Sequence, residues 1–423
     1  MNPQQTKPGS VRRFWILVSL GLILVLPGCA REDNSLFGPG RKTSFGTAVA
    51  PMPPAFAAPA ATTNLGTATG AVNNAPVAAV PGAGFKVGLL LPLSGQHAEL
   101  GQAMLNAAQM AVFDNGAGNL TLLPRDTGDS DVAAVAAMRD AAANGAQLMV
   151  GPVFAAQVAA VKAAAAGTSL SVLALSNDAT LAAPGVYIVG FSPAAQVARV
   201  LEYALAHGAV RFAALIPDGP YGDMIAAAVN RVLAQHHGVG ARIGRYAPNV
   251  TDFGTILQEI AVERGQLDAL LIADGGTNLH RIAVALPNYQ LNDPRIRLLG
   301  TGLWDEESLG RRDPQLIGGW YAAPAPEERN NFFAKYQAVY GVTPPRLTTL
   351  SYDATALAGV LAGRGGRVDA GALTNPAGFV GVDGIIRFAY DGVAERGLAV
   401  NQLRADGVQV LDPAPVAFGQ EGN

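Results

Sequence analysis

Residues 85–113 limit the possible folds of this chain more than any other stretch. The segment opens with an unbroken apolar run, residues 87–91, and continues into a polar turn, residues 92–96. Apolar side chains then recur at the i, i+3, i+4, i+7 spacing of one helix face. A short apolar run without alternation is typical of a strand that is buried on both faces, as in a parallel sheet. The segment therefore predicts the first strand, turn and helix of a βαβ unit.

Short apolar runs and helical patterns continue to alternate along the chain. In a first series the predicted strands are 120–124, 147–150, 171–175 and 186–190. Ser192 and Pro193 then form an N-cap followed by proline at the first helical position, and the alternation starts again. In the second series the predicted strands are 211–216, 241–246, 269–273, 297–300 and 319–322. Strands and helices in this rhythm predict two doubly wound parallel sheets.

Further elements remain after these two series: predicted helices at 330–340 and 351–362, and predicted strands at 385–390 and 407–411. We interpret them as segments in which the chain crosses back between two lobes. The predicted first lobe is 85–190 plus about 326–392, the second is 191–325 plus about 393–412, and 413–423 is a tail. The predicted fold class is α/β, with two Rossmann-like lobes and a cleft between them. Such a cleft is the default ligand site.

The first 84 residues have a different character. Arg12 and Arg13 precede an apolar run, 14–26, that ends in small residues, so residues 1–28 are predicted to be a secretory signal peptide. The run is shorter than the roughly 20 residues that span a bilayer, which disfavours a transmembrane helix. Residues 29–84 are rich in Ala, Pro and Gly, and such a segment cannot bury enough apolar area to offset the entropy of ordering it. We predict a disordered linker there.

Composition and motifs exclude several classes of function. The formal net charge is -3 and there is no basic tract, which disfavours nucleic-acid binding. A single cysteine allows no internal disulfide and no cysteine-based zinc site. The triplet Asp126-Thr127-Gly128 matches that of aspartic proteases, but their chemistry needs two aspartates and the triplet occurs once. Phosphate-loop, His-Glu-x-x-His and Gly-x-Ser-x-Gly motifs are also missing, so we predict binding without catalysis, cofactor or metal.

The chain from Lys86 to about Asp391 resembles the type I periplasmic binding proteins, of the leucine/isoleucine/valine-binding kind. The resemblance implies two lobes joined by three crossovers. It is carried by these residues: Lys86-Val87-Gly88, Ser94-Gly95, Gly151-Pro152, 176–180, Tyr221-Gly222, Tyr352-Asp353-Ala354, Gly384, Phe388 and Asp391-Gly392.

The same resemblance implies a ligand site in the interlobe cleft, made of Ser94, Gly95, Ala155, Ser176, Asn177, Asp178, Thr180, Tyr221 and Asp274. In this family a serine or threonine hydroxyl and backbone N–H groups hold the carboxylate of an amino acid. Thr180 matches one hydroxyl position and Tyr221 matches a tyrosine from the second lobe, whereas Ala155 replaces the other hydroxyl.

The partner of the ligand's ammonium group is missing from the pattern. The resemblance implies an acidic residue near Gly302 and a second aromatic near Gly275, and neither is present. An unpaired desolvated ammonium is costly, so ordinary leucine-type specificity is disfavoured. The candidate substitutes are Asp178, Asp274 and Asp305.

Four of these site residues also have a purely structural interpretation. Ser94 would then only cap its helix, and Thr180 would cap the next helix or hold its turn. Tyr221 would pack against its loop, and Asp274 would be a solvated strand end.

Two hypotheses for function follow from the resemblance. Leu26-Pro27-Gly28-Cys29 is similar to a bacterial lipobox, which implies acylation of Cys29, and Ala30 after it favours the outer membrane. Residues 175–178, 190–193 and 221–223 are most similar to the penicillin-binding protein activators, lipoproteins that stimulate a peptidoglycan synthase. The first hypothesis is therefore a non-enzymatic activator. The alternative is a lipid-anchored substrate-binding protein that feeds an amino acid or similar small molecule to the permease of an ABC importer.

Overall fold

The structure is a computed structural model of the 423-residue chain, and it describes residues 84–116, 119–236, 239–306 and 308–418. The predicted signal peptide, Cys29 and the linker up to residue 83 lie outside the described residues. Within the described ranges, no helix is both long enough and apolar enough to cross a membrane.

The first sheet has five parallel strands: β1 (Phe85–Leu91), β2 (Leu120–Asp126), β3 (Leu148–Val150), β4 (Ser171–Ala174) and β5 (Val186–Ile188). Their order is β2-β1-β3-β4-β5. The helices between them are α1 (Ala98–Asp114), α2 (Asp131–Ala143) and α3 (Ala155–Ala165). Leu89, Leu90 and Leu91 are all completely buried, as expected for a strand covered on both faces.

Local signals in the sequence set the ends of these helices. The Ser130 hydroxyl accepts the Ala133 N–H at 3.2 Å, which caps α2. Just beyond the end of α2, Gly145 takes a φ of +86°, a left-handed conformation that glycine adopts without strain. Gly101 lets α1 approach the turn after β1, because an added Cβ would lie 2.0 Å from the Pro92 carbonyl oxygen.

The second sheet repeats this topology. Its helices are α4 (Pro193–Ala206), α5 (Pro220–Ala234), α6 (Gly254–Ala261), α7 (Gly276–Ala285) and α8 (Leu309–Arg312). Its parallel strands are β6 (Arg211–Pro217), β7 (Gly240–Tyr246), β8 (Ala269–Ile272), β9 (Arg297–Gly300) and β10 (Trp320–Ala323), in the order β7-β6-β8-β9-β10. The Ser192 hydroxyl accepts the Ala195 N–H at 3.3 Å, so the predicted cap of α4 is present.

The last part of the chain returns to both lobes. Its helices are α9 (Pro326–Tyr340), α10 (Thr348–Gly363) and α11 (Ala370–Leu373), followed by the small antiparallel sheet β11 (Phe379–Gly381), β12 (Gly384–Phe388) and β13 (Ala394–Arg396). Helix α10 packs on α1 in the first lobe, where the Ser351 hydroxyl donates to the Met104 carbonyl oxygen at 2.8 Å. The chain then adds two strands to the second sheet: β14 (Ala399–Arg404) pairs antiparallel with β10, and β15 (Gly407–Asp412) pairs antiparallel with β14.

The chain thus passes between the two lobes three times: after β5, after β10 and after β13. The predicted fold class, two doubly wound lobes with three crossovers, is confirmed. The sequence did not predict α6, α7, α8, α11, β11, β13 or β14. Pro326 at the first helical position starts α9 four residues before the predicted residue 330.

Candidate functional site

The candidate site lies at the carboxyl ends of the parallel strands, where ligands bind in open α/β sheets. Beside the crossovers, a loop that follows one of these strands contacts the opposite lobe. After β9, the Asp305 carboxylate pairs with Arg329 and Arg346 of the first lobe. Phe191, in the first crossover, lies under the guanidinium of Arg346, 4.4 Å from ring centroid to Cζ. We therefore describe the loops after the strands as the two walls of an interlobe site.

The first-lobe wall is held together by Asp126, at the end of β2. Its Oδ1 accepts the backbone N–H groups of Leu93 at 2.9 Å, Ser94 at 3.2 Å and Gly128 at 2.8 Å. Desolvation raises the pKa of Asp126, but hydrogen bonds from the Ser94 side chain and these backbone groups outweigh it, so the pKa lies below its ordinary value. Ser94 occupies an N-cap position, yet its side chain makes no capping bond to the helix. It instead supports the carboxylate that joins the first two loops.

A second carboxylate, Asp129, reinforces the same junction. It accepts the Gln96 N–H at 2.9 Å and pairs with Nδ1 of His97 at 3.2 Å. Gly95 fits here only without a side chain, since its φ is +79° and an added Cβ would lie 2.0 Å from Asp129 Oδ2. The His97 ring also packs on Phe154, with centroids 4.5 Å apart. Predicted site residue Gly95 is therefore part of the turn geometry.

The start of α3 provides backbone donors. Its N-cap residue, Phe154, makes no side-chain capping bond, and no side chain in the described part of the chain accepts the first N–H groups of this helix. Ala155 and the residue after it, at the start of the helix, are exposed. An uncapped helix N-terminus favours a carboxylate, both through its N–H groups and through the helix dipole.

The loop after β4 uses its own polar groups. The Ser176 hydroxyl accepts the Asp178 N–H at 3.2 Å. Asp178 Oδ1 in turn accepts the Thr180 N–H at 3.0 Å and the Thr180 hydroxyl at 2.6 Å. Asn177 is exposed between them. The structural interpretation of Thr180 thus holds in this arrangement, because its hydroxyl proton is donated to Asp178.

The second-lobe wall contains Tyr221, in the first turn of α5. Its hydroxyl lies 3.2 Å from Thr301 Oγ1, and Thr301 is completely buried at the end of β9. Burial raises the pKa of Tyr221 to about 12, partly offset by the Thr301 hydrogen bond and supported by the negative Asp274. Tyr221 is therefore a neutral hydroxyl that can donate to a ligand oxygen.

Asp274, at the end of β8, already accepts three hydrogen bonds. Tyr246 donates its hydroxyl to Oδ2, Asn278 Nδ2 donates to the same oxygen at 3.1 Å, and the Gly275 N–H donates to Oδ1 at 2.7 Å. Burial, followed by this hydrogen bond, raises the pKa of Tyr246. Asp274 is thus neither a solvated strand end nor a carboxylate free of donors.

A glutamine fills the place beside Gly302. Gln196, in α4, is 6% exposed, and its Oε1 accepts the Gly302 N–H at 3.0 Å. An added Cβ on Gly302 would lie 2.3 Å from Gln196 Nε2. At Gly275, an added Cβ would lie 3.0 Å from the Leu303 Cβ. The structure therefore has an amide where the resemblance implies an acid.

All three candidate substitutes for that acid have hydrogen-bond partners. Asp178 bonds to Thr180 and Asp274 bonds to Tyr246, as described above. Asp305 is bound by two arginines of the first lobe and accepts the Tyr321 hydroxyl at 3.4 Å. Both bonds to Asp178 go to Oδ1, so each of these carboxylates already serves neighbouring protein groups in this arrangement.

Sequence reasoning missed five residues of this region: Gln196, Tyr246, Thr301, Arg329 and Arg346. Thr301 directly follows a predicted strand, so the strand-end rule was sufficient to find it. The other four act on partners that are distant in the sequence, and no local pattern marks them.

Comparison with known proteins agrees with this architecture. A family model described as "Periplasmic binding protein" matches residues 84–420. An uncharacterised protein of Rickettsia prowazekii is 21% identical over 224 residues, which are 51% of this chain, and the match spans 60% of that protein's length.

Two solved structures have a similar fold. A leucine binding protein from Thermotoga maritima is 20% identical, with a TM-score of 0.59, and the match covers 77% of this chain and 97% of that one. A solute binding protein of an ABC transporter from R. palustris, in complex with benzoate, is 19% identical, with a TM-score of 0.59, and the match covers 80% and 98%. Because the family match covers most of the sequence and the topology is that of type I, this chain belongs to the periplasmic binding protein family, whose members are proteins of the cell envelope.

Proposed function

We propose that this protein is the substrate-binding component of an ABC importer, and that its cleft takes a small organic acid without an α-ammonium group. The observation that carries the proposal is a mismatch in the site. Donors for a carboxylate are present at the start of α3 and at Tyr221, whereas an amide, Gln196, lies beside Gly302 where the resemblance implies an acid, and the nearby carboxylates already accept hydrogen bonds from protein groups.

The energetics favour an acid over an amino acid. Binding an amino acid would desolvate its ammonium beside the Gln196 amide instead of a carboxylate, and an uncompensated buried charge costs several kcal/mol, about 3–5. A carboxylate, in contrast, would gain charge-assisted hydrogen bonds of about 1.5–3 kcal/mol each from N–H and O–H donors. The R. palustris protein in complex with benzoate shares this fold, and benzoate is an acid that lacks an ammonium group. That precedent supports the ligand class.

The test is ligand-dependent thermal stability, with native mass spectrometry to confirm stoichiometry. A ligand that binds only the native state raises the melting temperature. We expect aromatic or short aliphatic acids to raise it, and the α-amino acids of similar size to leave it unchanged.

Tyr221→Phe removes only the hydroxyl, so we expect it to weaken acid binding by more than about tenfold, as for the loss of one charge-assisted hydrogen bond of about 1.5–3 kcal/mol. Tyr390→Phe is the matched control, because Tyr390 is 79% exposed and belongs to the first lobe. Equal shifts with amino acids and with acids would overturn the ligand assignment.

A second candidate function is activation of a penicillin-binding protein. It is supported by the resemblance of residues 175–178, 190–193 and 221–223, and by the Thr180 hydroxyl being donated to Asp178 instead of remaining free for a ligand. A protein that binds none of the tested acids or amino acids, yet captures a purified penicillin-binding protein, would establish this function instead.

In both cases we propose that the chain is an outer-membrane lipoprotein anchored through Cys29. The sequence around Cys29 supports this, with a basic start, an apolar run and small residues at the break. Cys29→Ser is expected to move the protein from the membrane fraction to the soluble fraction. Retention of this variant in the membrane fraction would refute the anchor.

A further inference from the structure

Six ionisable side chains form one cluster beside the crossovers, and the proposed function does not use them. They are Asp305, Arg329, Arg346, Asp353, Asp383 and Arg396. Five of the six are no more than 9% exposed at the side chain. The cluster contains three arginines and three aspartates, and buried pairs of this kind are little screened by salt.

The members of the cluster come from different lobes. Asp305 follows β9 in the second lobe. The other five lie in segments that join the first lobe: α9, the chain before α10, α10 itself, the turn between β11 and β12, and β13. The Asp305 carboxylate accepts a hydrogen bond from Arg329 Nη1, and it pairs with Arg346 Nε at 3.3 Å. These contacts therefore cross the boundary between the lobes.

Asp305 is rigidly mounted on the second lobe by Trp304, which is completely buried. The indole lies against two glycines: an added Cβ on Gly300 would lie 2.2 Å from Trp304 Cδ2, and one on Gly319 would lie 2.6 Å from Trp304 Cζ3. The same short turn begins at Thr301, which contacts Tyr221 in the cleft wall. The turn that carries Asp305 therefore also contacts the cleft wall.

Arg346 and Arg396 are fixed on the first lobe by several contacts. Arg346 donates to Asp383 Oδ1 at 2.8 Å and to Thr349 Oγ1 at 2.7 Å. Arg396 donates to the Val189 carbonyl oxygen at 2.9 Å, and both arginines lie over the ring of Phe191 in the first crossover. Through Arg346, the first crossover is therefore tied to one of the two charges that hold Asp305.

We propose that Asp305 is an interlobe latch, a carboxylate of the second lobe that two first-lobe arginines hold, and that this contact must break before the cleft opens. Hinge rotation about the crossovers is the usual motion of a two-lobed fold. Opening would leave desolvated charges unpaired, which opposes it.

The test measures the distance between the lobes without any ligand, so its outcome does not depend on the proposed function. The full chain carries Cys29→Ser, which removes its one cysteine, and two labelled positions, Val132→Cys and Asn249→Cys. Val132 is exposed in α2, and Asn249 is exposed in the loop after β7. Both lie beside the carboxyl ends of the edge strands β2 and β7, which are farthest from the crossovers in each sheet. Pulsed electron spin resonance gives the distribution of distances.

We expect one narrow distance population in the parent and a second, longer population in Asp305→Asn. Losing the charge-assisted hydrogen bonds should raise the ratio of open to closed molecules about tenfold or more. Asp223→Asn is the matched control, because it removes an ion pair to Arg245 that lies wholly within the second lobe. It should leave the distribution unchanged.

Arg329→Gln tests the same contact from the first lobe and decides the result if Asp305→Asn does not fold. If both residues act through one contact, the double variant opens no more than the more open single variant. An unchanged distance distribution in a folded Arg329→Gln or Asp305→Asn variant would overturn the latch.

Discussion

Gln196→Glu tests the chemistry of the cleft most directly. The side chain is 6% exposed, and Oε1 accepts the Gly302 N–H at 3.0 Å. Glutamate has the same shape and keeps this acceptor, but it places an ionised oxygen where Nε2 now lies. That atom is 2.3 Å from the position of a Cβ on Gly302, where the resemblance implies an acid. One substitution therefore restores the missing charge without repacking.

The magnitude follows from the burial of this side chain. A desolvated carboxylate without a cation costs about 3–5 kcal/mol, so the ligand-free variant should be less stable by that order at pH 7. Desolvation raises the pKa of the new carboxyl in the folded state, so the loss of stability is largest above that pKa. It disappears as the pH falls below about 4.3, the ordinary pKa of glutamate. An α-amino acid should then bind at least about tenfold more tightly than to the wild type, the value of one charge-assisted hydrogen bond.

The assay combines chemical denaturation at pH 7 and pH 4.5 with calorimetric titration of α-amino acids. Gln196→Met is the control, because it is similar in volume and loses the hydrogen bond to Gly302 without adding a charge. It should be less stable at both pH values and gain no affinity. If Gln196→Glu matches the wild type in stability at pH 7, the carboxylate is not desolvated there and the reasoning fails. It fails equally if the wild type already binds amino acids as tightly as the variant.

Two further changes test the supporting structure. Burial and the nearby Asp383 raise the pKa of Asp353 to about 7, so the folded state keeps this proton to a higher pH than the unfolded state does. The stability that this proton contributes is present below about pH 4 and is lost as the pH rises through about 7. The melting temperature should therefore fall between pH 5 and pH 8, and it should fall less in Asp353→Asn. Gly300→Ala drives a Cβ into the Trp304 indole and should cost about 1–3 kcal/mol in urea denaturation. Wild-type stability in that variant would show that the indole can move.

Sequence patterns predicted those elements whose stability is encoded locally. The apolar run 87–91 became part of β1 because a strand covered on both faces must be apolar at every position. Ser192 and Pro193 marked the start of α4, and the hydroxyl makes the expected capping bond. These signals depend on neighbours in the sequence, so they can be recognised without knowledge of the fold.

The elements that were missed depend on distant contacts. Helix α7 starts beside the glycine pair Gly275-Gly276, which resembles a turn, and the burial of Leu279 and Ile282 in the core of the second lobe compensates for this. Strand β14 pairs antiparallel with β10, with Tyr321 opposite Asn401. No period in the sequence indicates that residues eighty positions apart will pair in one sheet.

The candidate site divides in the same way. The family resemblance implied Tyr221, Thr180 and Asp274, but which groups those side chains bind is a property of the folded chain. Asp274 accepts a hydrogen bond from Tyr246, which is the last residue of β7. Thr180 bonds to Asp178 only because the loop forms a tight turn. Position along a strand was predictable, whereas availability to a ligand was not.

Ligand choice and lobe arrangement are connected through Asp305. Asp305 lies three residues after Gly302, on the turn that also carries Thr301, and it is a candidate substitute for the missing ammonium partner. It cannot both pair with a ligand ammonium and hold Arg329 and Arg346, because its carboxylate is already bound on both oxygens. A cleft that recruited Asp305 for an amino acid would therefore release the interlobe contact. The absence of an acid at Gly302 and the presence of the latch are thus consistent with one another, and both favour a ligand without an ammonium group.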